Sequence, residues 1–136
     1  MIEIHSKIIH PLIKDLLSYA TSKKRIAQEY KKYIQSSNRK LYVAERKGIM
    51  AGCIGIKFIE PNVCEIKHIA VFPPERGNRI GSEMIDFIMD KHLLNSVFAE
   101  TDLDAVEFYR NYGFEISDLG EKYPSVERFL CEYKIQ

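Results

Sequence analysis

His68–Ile88 reads HIAVFPPERGNRIGSEMIDFI: an apolar strand-like run, two prolines, two arginines and two glycines, then apolar residues at helical spacing. Ile80, Met84, Phe87, Ile88 and, further on, Leu93 recur with the period of one helix face. The order is therefore strand, glycine loop, helix. The first N–H groups of a helix have no intrahelical acceptor and carry the positive end of its dipole, which suits a diphosphate. Gly77 and Gly81 let an oxyanion approach the backbone closely, and Arg76 and Arg79 can add forked donors. No Lys follows the last glycine and no G-x-G-x-x-G occurs, which removes the P-loop and the dinucleotide fingerprint. On the loop alone, a phosphate cradle and a plain strand-to-helix turn stand equal.

Upstream, residues 2–5 suggest a short strand. Pro11 suits the first position of a helix that carries Leu12, Ile13, Leu16 and Leu17. A second helix is expected over 22–35, with Ile26, Tyr30, Tyr33 and Ile34 at the helical period and Lys23, Lys24, Arg25, Lys31 and Lys32 on a solvated face. KLYVAER, a Lys47-Gly48 turn and IMAGCIGIKFI read as a hairpin whose second arm is a central strand buried on both faces. Pro61-Asn62 then turns the chain into VCEIKHIAVF. Downstream, SVFAET is a strand, Asp104 with Glu107 forms a capping-box-like helix start, and Gly113 ends that helix. FEIS and VERFLCEYKI close the chain as strands joined by a polar loop over 118–125. The sum is about seven strands and about four helices, a mixed α/β (α+β) domain.

The 136 residues suit a single domain spanning 1–136. With 20 Lys+Arg against 19 Asp+Glu the net charge is +1, which gives no general attraction to nucleic acid or anionic membrane. Cys53, Cys64 and Cys131 are isolated among apolar residues, so buried thiols are expected and a zinc site is not. No window reaches the ~18 apolar residues of a membrane span, and the N-terminus lacks a signal-peptide pattern. The expected setting is the cytoplasm.

The stretch His68–Ile88 resembles the acyl-CoA motif of the GNAT superfamily of N-acetyltransferases, an apolar strand ending in Val-x-Pro followed by Arg/Gln-x-x-Gly-x-Gly/Ala. A second stretch, AETDLDAVEFYRNYGFE at 99–115, is similar to that family's Asn-x-x-Ala-x-x-Phe-Tyr-x-x-x-Gly-Phe. Two departures stand out: Arg79 replaces the first loop glycine, and Asp102 replaces the asparagine. The resemblance implies a GNAT-like, mostly antiparallel sheet flanked by helices, with acetyl-CoA as co-substrate and no metal. It implies transfer of the acetyl group to a primary amine of a small molecule or peptide, through a tetrahedral intermediate. On this reading Arg76, Gly77, Asn78, Arg79, Ile80, Gly81 and Ser82 hold the pyrophosphate. Ile69, Ala70 and Val71 hold the pantetheine arm and the acetyl carbonyl, and Asp102 takes the position of a polar contact to CoA. Tyr109 corresponds to the family's tyrosine that protonates the departing thiolate.

Attack by a lysine-like amine with pKa ~10.4 needs a proton acceptor at neutral pH. Glu65 is the candidate base, since it shares the side-chain parity of Val71 along its strand; the alternative is a surface carboxylate paired with Lys67. Ala105, Phe108 and Tyr112 suggest the packing stripe of the last helix, with Tyr109 on its flank. His68 alternates with Ile66 and Ala70 and reads as a structural histidine. The competing function is a non-catalytic acyl-CoA-binding or sensing module. Residues 11–35 and 117–125 correspond to the acceptor side and offer Tyr30, Tyr33, Glu121 and Tyr123 without a discriminating motif. Monomer and homodimer are both open.

Overall fold

The computed structural model describes residues 1–135, without the side chains of Lys122 and Tyr123. Among the described residues the chain forms seven strands and four α-helices, in the order β1 (Ile2–Glu3), α1 (Pro11–Ser18), α2 (Lys23–Gln35), β2 (Arg39–Arg46), β3 (Ile49–Glu60), β4 (Val63–Val71), α3 (Ile80–Lys91), β5 (Ser96–Thr101), α4 (Val106–Tyr112), β6 (Glu115–Tyr123) and β7 (Val126–Lys134). A single 3-10 turn, Pro73–Glu75, lies between β4 and α3. The strands make one sheet in the order β1-β2-β3-β4-β5-β7-β6, antiparallel throughout except where β4 meets β5. Among the described residues no helix is long and apolar enough to cross a membrane.

The sheet is covered on both faces. Ile80, Met84, Ile85 and Ile88 of α3 pack on one side with Ile54, Ile56, Val97 and Phe129. On the other, Ile13, Leu16 and Leu17 of α1 and Ile26, Tyr30 and Tyr33 of α2 pack on Leu41, Val43, Cys53 and Ala70. Each fully buried aliphatic side chain contributes ~1.5–3 kcal/mol, so the two layers together hold the sheet between them. β3 is the central strand expected of its sequence, buried continuously from Ala51 to Ile56.

An irregularity in β4 decides what faces where. Gly55 pairs with His68 and Ile56 with Ile66, which leaves Lys67 as an extra residue. Such a bulge reverses the alternation of side chains beyond it. Cys64 and Ile66 therefore join the α3 side, while Ala70 joins the α1/α2 side and Ile69 and Val71 pack back against the α3 side. Two sequence expectations change as a result. Glu65 does not share a face with Val71, and His68 does not share one with Ile66. His68 is buried against α2 instead, its Nδ1 2.5 Å from the Tyr33 hydroxyl and its Nε2 3.7 Å from Glu29 Oε1. Gly55 is required for this contact, because a Cβ there would collide with the Tyr33 ring and hydroxyl.

Other expectations also shift. Leu93 is 81% exposed because α3 closes at Lys91 with His92 as its C-cap. Leu12 faces outward while Ile13, Leu16 and Leu17 form the buried stripe. The polar segment 118–125 is largely strand: β6 runs through it to Tyr123, and Ser125 at φ 64 turns the hairpin. α4 is not started by an Asp104–Glu107 box. Asp102 Oδ1 accepts from the N–H groups of Asp104 and Ala105, both at 3.1 Å, and Glu107 pairs with Arg110.

Burial holds His68 neutral, its pKa lowered from 6.5 to about 4. The unfolded chain then takes up this proton first, so the contribution is full above pH 6.5 and is lost as pH falls toward 4. Denaturant titrations should show stability declining across that window, with the His68 imidazole resonances unshifted by NMR until its lower end. A normal imidazole titration near 6.5 would contradict the buried network.

Candidate active site

β4 and β5 run parallel and hydrogen-bonded only from Val63 to Glu65 and from Ser96 to Phe98. Beyond those residues the two strands are not paired with each other, although β4 continues along β3 to Val71 and β5 along β7 to Thr101. The Phe72 N–H donates to the Ala51 carbonyl of β3 at 2.7 Å. Antiparallel pairing alternates direction at each residue, so the N–H groups of Val71 and Ile69 point the other way, into the gap beside β5. A cavity of about 530 Å³ occupies this region, lined by Ile69, Ala70 and Val71 on one side and by the loop and first turn of α3 on another.

The loop supplies donors. Arg79 is the N-cap of α3, and its side chain makes no capping hydrogen bond; the N–H groups of Ile80, Gly81 and Ser82 have no intrahelical acceptor. All four residues line the cavity, as do Arg76 and Gly77, while Asn78 does not. Arg79 sits at φ 64, ψ 17, the left-handed region, which costs an L-residue roughly 1–2 kcal/mol and explains why glycine suits that position. The guanidinium of Arg79 has no ion-pair partner among the described residues. Arg76 is differently placed. Its Nε donates to the Val71 carbonyl at 3.1 Å, and its guanidinium carbon lies 5.4 Å from the centre of the Tyr19 ring.

Gly81 has a second reason to be glycine. A Cβ there would lie 2.7 Å from the Phe108 ring, so the first turn of α3 rests directly on α4. Val106 and Tyr109 form the buried face of α4, with Phe108 and Tyr112 half-buried at its sides. Tyr109 is thus a core residue rather than a flanking one, 4% exposed and edge-on to Phe108 and Phe114 at 5.2 and 5.0 Å between ring centres. It nevertheless lines the cavity, and its hydroxyl has no hydrogen-bond partner among the described residues. Burial pushes its pKa upward, so the phenol is held protonated.

Glu65 and Asp102 lie off the cavity lining. Glu65 Oε2 is 3.2 Å from Lys67 Nζ, and Asp102 is engaged at the start of α4 as described above. Tyr19, Glu75, Asp104, Ala105 and Phe108 also line the cavity, although the sequence marks none of them as a binding residue. Tyr19 carries no motif of its own; its place follows from the end of α1 meeting Arg76. Tyr123, expected on the acceptor side, lies outside the described side chains. The three thiols are buried, and burial pushes Cys53 and Cys64 up to about 12 and Cys131 up to about 11. None is a thiolate at neutral pH.

Comparison with known proteins places this geometry. Residues 9–114 match the family model described as Acetyltransferase (GNAT) family. A Bacillus methanolicus protein named "Uncharacterized N-acetyltransferase in lysA 3'region" is 28% identical over 97 residues, covering 66% of this chain and 81% of that one. In fold, the chain is similar to a GNAT family acetyltransferase from Elizabethkingia anophelis solved with acetyl-CoA bound, at TM-score 0.73 and 20% identity over 98% of this chain and 95% of the other. It is also similar to the aminoglycoside 6'-N-acetyltransferase from Enterococcus faecium, at TM-score 0.74 and 17% identity over 100% and 98% of the two chains. The family match takes in β4, the glycine loop, α3 and α4 together, and on that basis the chain belongs to the acetyltransferase (GNAT) family, enzymes that move an acetyl group from acetyl-CoA to an amine.

Proposed function

We propose that the chain acetylates a primary amine of a small molecule or peptide by direct attack on the thioester of acetyl-CoA, with Tyr109 as the acid. The observation that carries this reading is a single cavity bringing together three things: the inward N–H groups of β4, the uncapped start of α3 and the Tyr109 residue. The pyrophosphate rests on the amides of Gly77 to Ser82, where unpaired donors and the helix dipole favour negative charge. The pantetheine arm runs along β4 and meets the N–H groups of Ile69 and Val71. The Val71 N–H stabilises the oxyanion that forms as the amine nitrogen bonds to the acetyl carbon, a donor type worth ~10²–10³ in rate. The C–S bond then breaks as the carbonyl re-forms, the thiolate takes the Tyr109 proton, and the phenolate regains a proton through water, balancing the one the amine released. The buried, protonated thiols of the chain do not compete for the acetyl group, in keeping with direct attack by the amine.

The amine gives up its proton to water or to Glu65. Glu65 sits on the α1/α2 side of the sheet beside Lys67, so a proton reaches it through water rather than directly. Arg79 contributes a backbone amide at the N-cap and an unpaired charge at the rim of the cradle. Arg76, tied to Val71 and Tyr19, acts chiefly by fixing the end of β4.

Tyr109→Phe is expected to keep acetyl-CoA affinity by calorimetry while lowering kcat about tenfold or more; unchanged turnover removes Tyr109 from the chemistry. Glu65→Gln should lower kcat/KM at neutral pH and recover toward wild type as pH approaches the amine's own pKa, whereas a pH-independent loss would assign Glu65 to structure alone. Arg79→Gly should weaken acetyl-CoA binding a few-fold at low salt and less above about 0.5 M, where the Debye length is only a few ångströms. Its melting temperature should be unchanged or slightly raised, because the left-handed cost of about 1–2 kcal/mol is removed and offset by about 0.5–1 kcal/mol of glycine entropy. Tighter binding would show that the arginine obstructs the cradle.

A further inference from the structure

α2 is charged against its own dipole. Lys23, Lys24 and Arg25 stand in its first turn, no acid accompanies them, and the N-cap Ser22 makes no side-chain hydrogen bond to the helix. Cations at this end of a helix are unfavourable. Residues 11–35 carry six Lys or Arg against two Asp or Glu, in a chain whose total is +1. Of those two acids, Glu29 is turned inward to Lys32 and His68. A local choice that costs stability without a structural return marks a functional surface.

Alongside this helix runs a groove of about 570 Å³, formed by α2, α1 and the segment before α1. Ile9 and Ile34, both half-buried, give it an apolar floor; Lys7, Lys14, Lys23 and Lys31 stand around it, and no carboxylate lines it. None of these four lysines has an ion-pair partner among the described residues. The groove shares no lining residue with the catalytic cavity.

We propose that this groove docks an acidic peptide segment of a partner protein, with an apolar side chain seated between Ile9 and Ile34 and carboxylates on the lysine rim. Lysine stems extend the apolar trough while their ammonium groups stand at its edge, so one surface is complementary to both parts of such a segment. A trough fits a projecting side chain better than a flat bilayer. A single-stranded nucleic acid would need exposed aromatic faces for stacking, and Tyr30, the aromatic residue in the lining, is 4% exposed with its hydroxyl donating to the Ser6 carbonyl at 2.6 Å. Docking here recruits a partner and leaves the acetyl-transfer cavity open.

The test is fluorescence anisotropy with a labelled peptide Glu-Asp-Leu-Glu-Asp-Leu-Glu-Glu, the same peptide with serine in place of leucine, an oligothymidylate, and phosphatidylserine-containing vesicles. The leucine peptide should bind with an affinity that falls with salt. It should weaken about tenfold or more in Lys23→Glu/Lys31→Glu and to a comparable extent when serine replaces leucine. The double variant should keep wild-type acetyl-CoA affinity and a melting temperature equal to or above wild type, since an acid now stands in the first turn of α2. Failure of the leucine peptide to bind at low salt, binding indifferent to the substitutions or to the leucines, or tighter binding of oligothymidylate or vesicles would each overturn the proposal.

Discussion

The cavity beside β4 depends on the loss of hydrogen bonding between β4 and β5 after three residue pairs. Unpaired backbone groups inside a sheet are costly unless something meets them, and here they border a cavity that also receives the start of α3. The extra residue at Lys67 bends β4 and turns its far end, so that Ile69 and Val71 lean on the α3 layer while Ala70 leans on α1 and α2. Both helical layers thereby clamp the strand whose amides face the gap. Opening a sheet in its middle is tolerable only because each face is separately packed.

The arginine network refines that clamp. Arg76 stands where a phosphate ligand is expected, yet it holds the Val71 carbonyl and stacks near Tyr19. Its guanidinium thus ties the end of α1 to the end of β4, across two elements that are distant in sequence. Arg79 accepts an unfavourable backbone conformation at the head of α3, and its side chain has no ion-pair partner among the described residues. The two arginines of one short loop divide their work, one on the scaffold and one at the rim.

Much of this was legible in the residues. Ser96–Thr101 as a strand, Pro11 at the head of α1, and Gly113 at the end of α4 each follow from local rules that tertiary contacts did not overrule. The cavity-lining residues of the loop were found because glycines, arginines and a helix start coincide there. What could not be read was the bulge at Lys67: nothing in VCEIKHIAVF marks an extra residue, because register is set by the partner strand. That one slip moved Glu65 to the opposite face from Val71 and brought His68 to Tyr33. The phase of α4 departs from its sequence pattern for a similar reason. Alanine and phenylalanine suggested one stripe, but the sheet takes Val106 and Tyr109, leaving Phe108 to meet Gly81.

The contact between Gly81 and Phe108 also bears on modularity. The glycine loop that leads into α3 and the helix that carries the phenol belong to separate stretches of chain, yet they touch with no space for a single added carbon. They form one mechanical part cut in two by the sequence. Anyone transplanting the glycine loop into another acetyltransferase must carry α4 with it, or match the ring at position 108, since the first turn of α3 rests directly on that ring.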